Sequence, residues 1–203
     1  MRELLARAPR EELTLAEFDR ATAADLARIG PPGFWKLERQ QSFAEPGDDS
    51  WAAFDRGDWA EALRLIAERQ PDFLAYYRRA AARGDRYWRV RVVELPLTPY
   101  LHWELHVLRL RAVSGAAIRV VGPERIERFE HTGPLPEVFT VGSRAMYEVV
   151  YNEHGEPAGG RRFTDRDLIR RVQRLIQDLY DCGEELSAFF DREVARLGAP
   201  CGG

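Results

Sequence analysis

The stretch that most limits the fold of this 203-residue chain runs from Trp88 to Val121. Trp88, Val90 and Val92 alternate with Arg89, Arg91 and Val93, a period of two that marks a strand. Thr98 and Pro99 follow, a capping side chain and the residue best suited to a first helical position, with Gly115 as a stop. "AAIRVVG" then reads as a second short strand. Two strands separated by a connection of helical length form the pattern of a parallel crossover, because parallel neighbours need a long return path.

The rest of the chain is assigned around this unit. Thr14 with Glu17 forms a capping box for a helix that stops at Gly30, Asp58 with Glu61 forms another, and Pro71 starts a helix that ends at Gly84. Residues 1–84 are therefore expected to be a mostly helical N-terminal lobe. It includes one strand of the sheet, about residues 34–43, in "GFWKLERQQSF". Residues 85–203 are expected to form an α/β domain. "PEVFTVG", "AMYEVVY" and "AGGRRFT", joined by tight turns, predict an antiparallel meander. Thr164 is expected to cap a C-terminal helical region that breaks near Gly183. The fold class that results is α/β (mixed α+β): a small mixed sheet with a parallel crossover and an antiparallel meander, a helical N-terminal lobe and C-terminal helices.

Composition narrows the function classes. No apolar run is long enough to span a membrane and the N-terminus lacks a signal-peptide core, so a cytoplasmic protein is expected. Cys182 and Cys201 are too few for a disulfide framework or a cysteine-based zinc site, and Cys201 falls in a tail, "GAPCGG", expected to fray. A formal net charge of −3 lacks the footprint of a nucleic-acid binder. Arg166, Arg170 and Arg174 lie at helical spacing, but Asp165, Asp167 and Asp178 interleave with them, as on a solvated, ion-paired face. Lys36 is the only lysine.

The candidate site lies in the crossover. As a strand, residues 101–107 would put His102, Glu104 and His106 on one face as a ligand set. As the helix that Thr98 and Pro99 predict, they separate. Leu101, Leu105, Leu108 and Ala112 then form one apolar stripe, and Trp103, Val107 and Leu110 a second nearly opposite. Between the stripes, His102, His106 and Arg109 share one strip and Glu104 lies on the other. Arg109 beside the histidines opposes a metal and favours an anion or a carboxylate. The candidate ligand-binding residues are Arg91, Tyr100, His102, His106 and Arg109, around an anionic ligand. Trp103, Val107 and Leu110 are the candidate interaction residues, facing the helical lobe or a partner chain. No metal, cofactor or catalytic residue is expected.

No phosphate-binding loop, dinucleotide fingerprint, nucleophile elbow or zinc-helix motif is present. "RVRVVELPLTPYLHWEL" and "VFTVGSRAMYEVVYNEHGEPAGGRRFTDRDLIRRVQRL" resemble an uncharacterised actinobacterial family often encoded beside helix-turn-helix regulators. The likeness is carried by Arg91, Val92, Val93, Pro96, Leu97, Tyr100 and Glu104. The chain departs from the family pattern at Leu95, where a glutamate is usual, and in "FTVGSR". The element order also resembles half of a phospholipase-D-like fold, whose chemistry requires a His-x-Lys pair; no histidine stands two residues before Lys36. The resemblance implies a non-enzymatic regulatory or interaction protein, with a helix-turn-helix regulator or a second copy of the chain as partner. The alternative is an enzyme or small anionic-ligand binder in specialised metabolism.

Overall fold

A computed structural model describes residues 1–200; the tail with Cys201 lies outside the described residues. The elements are α1 (Arg2–Arg7), β1 (Glu11–Thr14), α2 (Leu15–Leu26), β2 (Phe34–Glu38), α3 (Asp49–Asp55), α4 (Trp59–Glu68), α5 (Gln70–Ala82), β3 (Tyr87–Val92), α6 (Pro99–Ser114) and β4 (Ala117–Val121). After two short 3-10 turns come β5 (Val138–Val141), β6 (Ala145–Tyr151), β7 (Pro157–Phe163), α7 (Arg166–Asp181), β8 (Glu184–Glu185) and α8 (Leu186–Glu193).

All eight strands join one mixed sheet in the order β1-β7-β6-β5-β2-β3-β4-β8. β3 and β4 pair in parallel across α6, as the helical-length connection requires. β5, β6 and β7 form the antiparallel meander. β2 also pairs with β3 in parallel, so α3, α4 and α5 are themselves the return path of a second crossover. The division at residue 84 thus follows helix content and not the sheet, since β2, from the N-terminal segment, lies at its centre. β1 adds an antiparallel edge to β7; at four mostly exposed residues it has no apolar alternation from which to be read.

Helix starts follow their caps. The Thr14 N–H donates to Glu17 Oε2 at 2.9 Å, and Asp58 Oδ1 accepts from the Glu61 N–H at 3.1 Å. Thr98 Oγ1 accepts from the Leu101 N–H at 3.1 Å. At α7 the cap is Asp165 and not Thr164, because a carboxylate there takes the N–H groups of both Asp167 and Leu168. The helical region breaks at Gly183, where the chain turns into the two-residue strand β8.

One face of the sheet is mainly apolar, with a buried hydrogen bond from Gln173 of α7 to Thr140 of β5 at 3.1 Å within it. Trp35 and Leu37 of β2, Val90 and Val92 of β3, Val138 of β5 and Met146 of β6 pack against Leu168, Ile169, Val172 and Ile176 of α7. The other face is divided. Over β4, Ile118 and Val120 meet Leu101, Leu105 and Leu108 of α6 and Phe189 and Phe190 of α8. Over β5 and β6, Phe139 and Tyr147 meet Phe18 of α2. Between these two apolar patches the strands carry charge. The second stripe of α6, Trp103, Val107 and Leu110, is covered from within the chain by the α3–α4 layer, including Phe54, Ala62 and Ile66.

Gly160 of β7 leaves the room that the Phe18 ring occupies: a Cβ there would lie 2.2 Å from Phe18 Cδ2 and 2.9 Å from the Glu148 carbonyl oxygen. Gly160→Val should therefore lose about 1–3 kcal/mol in urea unfolding. Gly47→Ala, where an added Cβ meets nothing within 4 Å, should stay within about 0.5 kcal/mol of the parent.

Candidate functional site

The alternation that sends Trp35 and Leu37 to the apolar face sends Lys36 and Glu38 to the other, and the same holds for Arg89 and Arg91 of β3. The parallel register sets Lys36 beside Arg89 and Glu38 beside Arg91. Since β2 and β3 are central strands under a helical layer, Glu38 and Arg91 are buried and Lys36 and Arg89 are largely so. Lys36 Nζ is 2.7 Å from Glu38 Oε1 and 2.7 Å from Glu137 Oε1. Arg89 Nη1 donates to both oxygens of Glu38, at 2.7 and 3.0 Å. Arg91 Nε donates to Glu104 Oε2 of α6 at 2.8 Å. Three cations and three carboxylates thus form a balanced stripe.

The titration behaviour follows from burial and pairing. Burial works against the charge on Lys36, but Glu137 and Glu38 outweigh it and hold the ammonium above the usual lysine value. Burial likewise opposes ionisation of Glu38, yet Arg89, Lys36 and Arg91 bring it down to about 2. At Glu104 burial prevails over the pull of Arg91 and pushes the carboxyl up to about 7.

Above this stripe a cavity of about 620 Å³ opens between α2, strands β2, β5 and β6, and loop 43–48. Lys36, Glu38 and Glu137 contribute to its floor, and Phe18, Phe43, Phe139 and Tyr151 are among its walls. The Tyr151 hydroxyl donates to Glu137 Oε2 at 2.8 Å. The loop is pinned twice. The Ala44 N–H donates to the Gly155 carbonyl at 2.9 Å, and Asp48 receives both terminal nitrogens of Arg69 at 2.6 and 2.7 Å while capping α3. Glu45, on this loop, accepts from the Tyr100 hydroxyl at 3.1 Å. It has no cationic partner among the described residues, and burial raises its pKa. Thr22 Oγ1, at the same cavity, is buried without a partner.

The five ligand-binding candidates do not surround one opening. Arg91 is fully buried on Glu104. Tyr100 reaches Glu45 and lines a neighbouring groove of about 810 Å³ on the other side of Phe43. His102 and His106 pack on Trp59, with ring centroids 4.8 and 5.3 Å away, and His106 also meets Phe190 at 4.9 Å. Arg109 lies over the Phe190 ring and donates to the Ser187 carbonyl at 3.3 Å. Glu104 faces the sheet, away from the histidines, as the helical reading requires. Among the described residues no three His, Cys, Asp or Glu side chains gather to hold a metal.

Sequence reading passes over Lys36, Glu38, Glu45 and Glu137. Charges on alternate positions of a strand ordinarily mean a solvent face; only the central place of β2 turns them inward. The available signal was complementary sign, a lysine and a glutamate in one strand and two arginines in another. Glu45 and Glu137 lie outside regular elements and carry no periodicity.

The architecture defines an α/β protein whose mixed sheet bears an internal charged stripe beneath a cavity. The chain belongs to the family described as "Domain of unknown function (DUF6879)", whose model matches residues 21–191. That span includes every strand but β1, and every residue named at the cavity but Phe18. No curated protein matches the chain. Among the described residues no helix is long and apolar enough to cross a membrane.

Glu104→Gln leaves Arg91 buried without its counter-charge and should cost about 3–5 kcal/mol in denaturant unfolding. The double variant Arg91→Met with Glu104→Met should lose clearly less, because no lone charge remains. A second outcome concerns acid. Burial lowers both histidines, His106 to about 4 with His102 adding repulsion, against an ordinary value of 6.5. Between those values the unfolded chain binds more protons, so stability is lost as pH falls from about 6.5 through about 4. Thermal unfolding across that window should show the loss, and His106→Leu should flatten it.

Proposed function

We propose that this protein is a non-catalytic binding module that takes a small organic cation in the cavity over β2, β5 and β6, and that it serves a regulatory or interaction role. The carrying observation is Glu45. Every other carboxylate set into the stripe, and Asp48 on the same loop, forms an ion pair, whereas Glu45 forms none among the described residues: it accepts from the Tyr100 hydroxyl and feels Lys36 only from beyond contact distance. A ligand ammonium would supply the missing charge while its apolar body meets Phe18, Phe43, Phe139 and Tyr151. The cavity volume lies within the ordinary range for small-molecule sites, about 300–1,000 Å³.

The proposed ligand is opposite in sign to the anion suggested by the strip on α6. Arg91 is already engaged by Glu104, and Arg109 by α8. The non-enzymatic reading is supported by the state of Lys36, protonated and held between two carboxylates, which leaves it no lone pair for nucleophilic attack or proton abstraction. The likeness to half of a phospholipase-D-like fold is kept as part of this reading, without that fold's His-x-Lys chemistry. The cytoplasmic setting expected from the sequence is kept as part of this reading, and a helix-turn-helix regulator as partner is supported by the resemblance alone, an association of genes and not of surfaces. A second copy of the chain is the alternative partner.

Isothermal titration with benzylammonium, and with benzyl alcohol as the neutral control, tests the cavity. The ammonium should bind saturably and the alcohol much more weakly, and Glu45→Gln should weaken the ammonium by about tenfold or more. Since a carboxylate attracts the ligand only when ionised, affinity should drop as pH is lowered, beginning above the usual glutamate value of 4.5 because burial raises Glu45. Equal binding of the alcohol, or indifference to Glu45→Gln, would remove the reading.

A further inference from the structure

A second, smaller cavity of about 180 Å³ lies on the same side of the sheet, between α5, α6 and the starts of β2 and β3. Its chemistry is the reverse of the first. Arg89 and Arg111 both line it, no carboxylate does, and its walls are Phe34, Tyr76, Tyr77 and Tyr87. Arg89 spends only Nη1 on Glu38; its Nε and Nη2 make no hydrogen bond among the described residues. Those nitrogens also differ from the Nη2 of Arg91, which is sealed from solvent without a partner. Arg111 lies over the Phe73 ring at 4.5 Å and has no ion pair among the described residues. Tyr76 and Tyr87 share one hydroxyl–hydroxyl hydrogen bond of 2.7 Å, which leaves one of the two a proton to donate.

We infer that this cavity is a binding site for a small aromatic carboxylate, with the acid group held by Arg89 and Arg111 and the ring set among the tyrosines. Guanidinium groups carry parallel N–H donors matched to carboxylate oxygens. The edge-to-face packing of Tyr76, Tyr77 and Tyr87, with centroids 5.1 to 5.7 Å apart, makes an apolar wall suited to a further ring. The volume matches that size: a cavity of about 150 Å³ accommodates benzene. A bare oxyanion would use the arginines and leave the rings unfilled. This site is separate from the cation cavity and stands without it.

The test is titration of the full chain with benzoate, followed by calorimetry and by the ring resonances of Tyr87, which lines the cavity. Benzoate should bind at one site and shift Tyr87. Arg111→Gln should weaken it about tenfold or more, Arg111→Lys less, and Glu45→Gln not at all. Ala116→Leu, which fills the cavity and keeps both charges, should abolish binding and covers the case in which an arginine variant fails to fold. Inorganic phosphate binding as tightly as benzoate would overturn the aromatic part of the assignment, and benzyl alcohol binding as tightly would overturn the anionic part. Absence of saturable benzoate binding, or binding unaffected by Arg111→Gln and Ala116→Leu, would overturn the site.

Discussion

The ion pairs of Lys36 with Glu38 and Glu137 set the terms for the rest of this structure. Charges placed on central strands under a helical layer cannot be left alone, because each lone buried ion costs several kcal/mol. Every neighbouring element is accordingly fixed in a particular place. Glu137 must arrive just before β5, Arg89 must follow the parallel register of β3, and α6 must turn Glu104 down onto Arg91. A slip of one residue in β2 would bring Trp35 and Leu37 to the charged side and Lys36 to α7, so the stripe also specifies register.

The stripe explains why cavities form where they do. Apolar side chains can close over one another from both sides, as at β4 with α6 and α8 and at β5 with α2. Between these patches the charged floor cannot be covered by apolar side chains without stranding ions. The layer above stays open there, and its walls are long aromatic side chains with polar ends, such as Tyr151 on Glu137 and Tyr100 on Glu45. Because Lys36 and Arg89 share Glu38, the two cavities are neighbours on one electrostatic unit. They differ in sign because Glu45 lies at one end and Arg111 at the other.

Much of the framework was legible in the chain. Thr98, Pro99 and Gly115 specified the crossover helix, and the two apolar stripes of that helix correctly required cover on both sides. The meander followed from alternation and turn residues, and the capping boxes located their helices. Harder to read was the meaning of polar positions on strands. "FWKLE" and "YWRVRV" look half-exposed when each is read by itself, and only the order of strands makes β2 and β3 central. The same limit drew attention to His102 and His106. Their spacing is conspicuous in sequence, while the fold uses them as neutral rings against Trp59 and Phe190. Loop residues such as Glu45 carry no periodic signal, so the cavity they complete emerges only with the tertiary structure.

Because Lys36 is the only lysine, selective lysine labelling yields one side-chain ammonium signal, and its nitrogen shift can be followed against pH without assignment ambiguity. An ammonium locked between Glu38 and Glu137 should exchange slowly with water and stay protonated beyond the ordinary lysine value of 10.5. A freely exchanging signal that titrates at or below that value would place Lys36 in solvent and contradict the buried stripe on which both cavities depend.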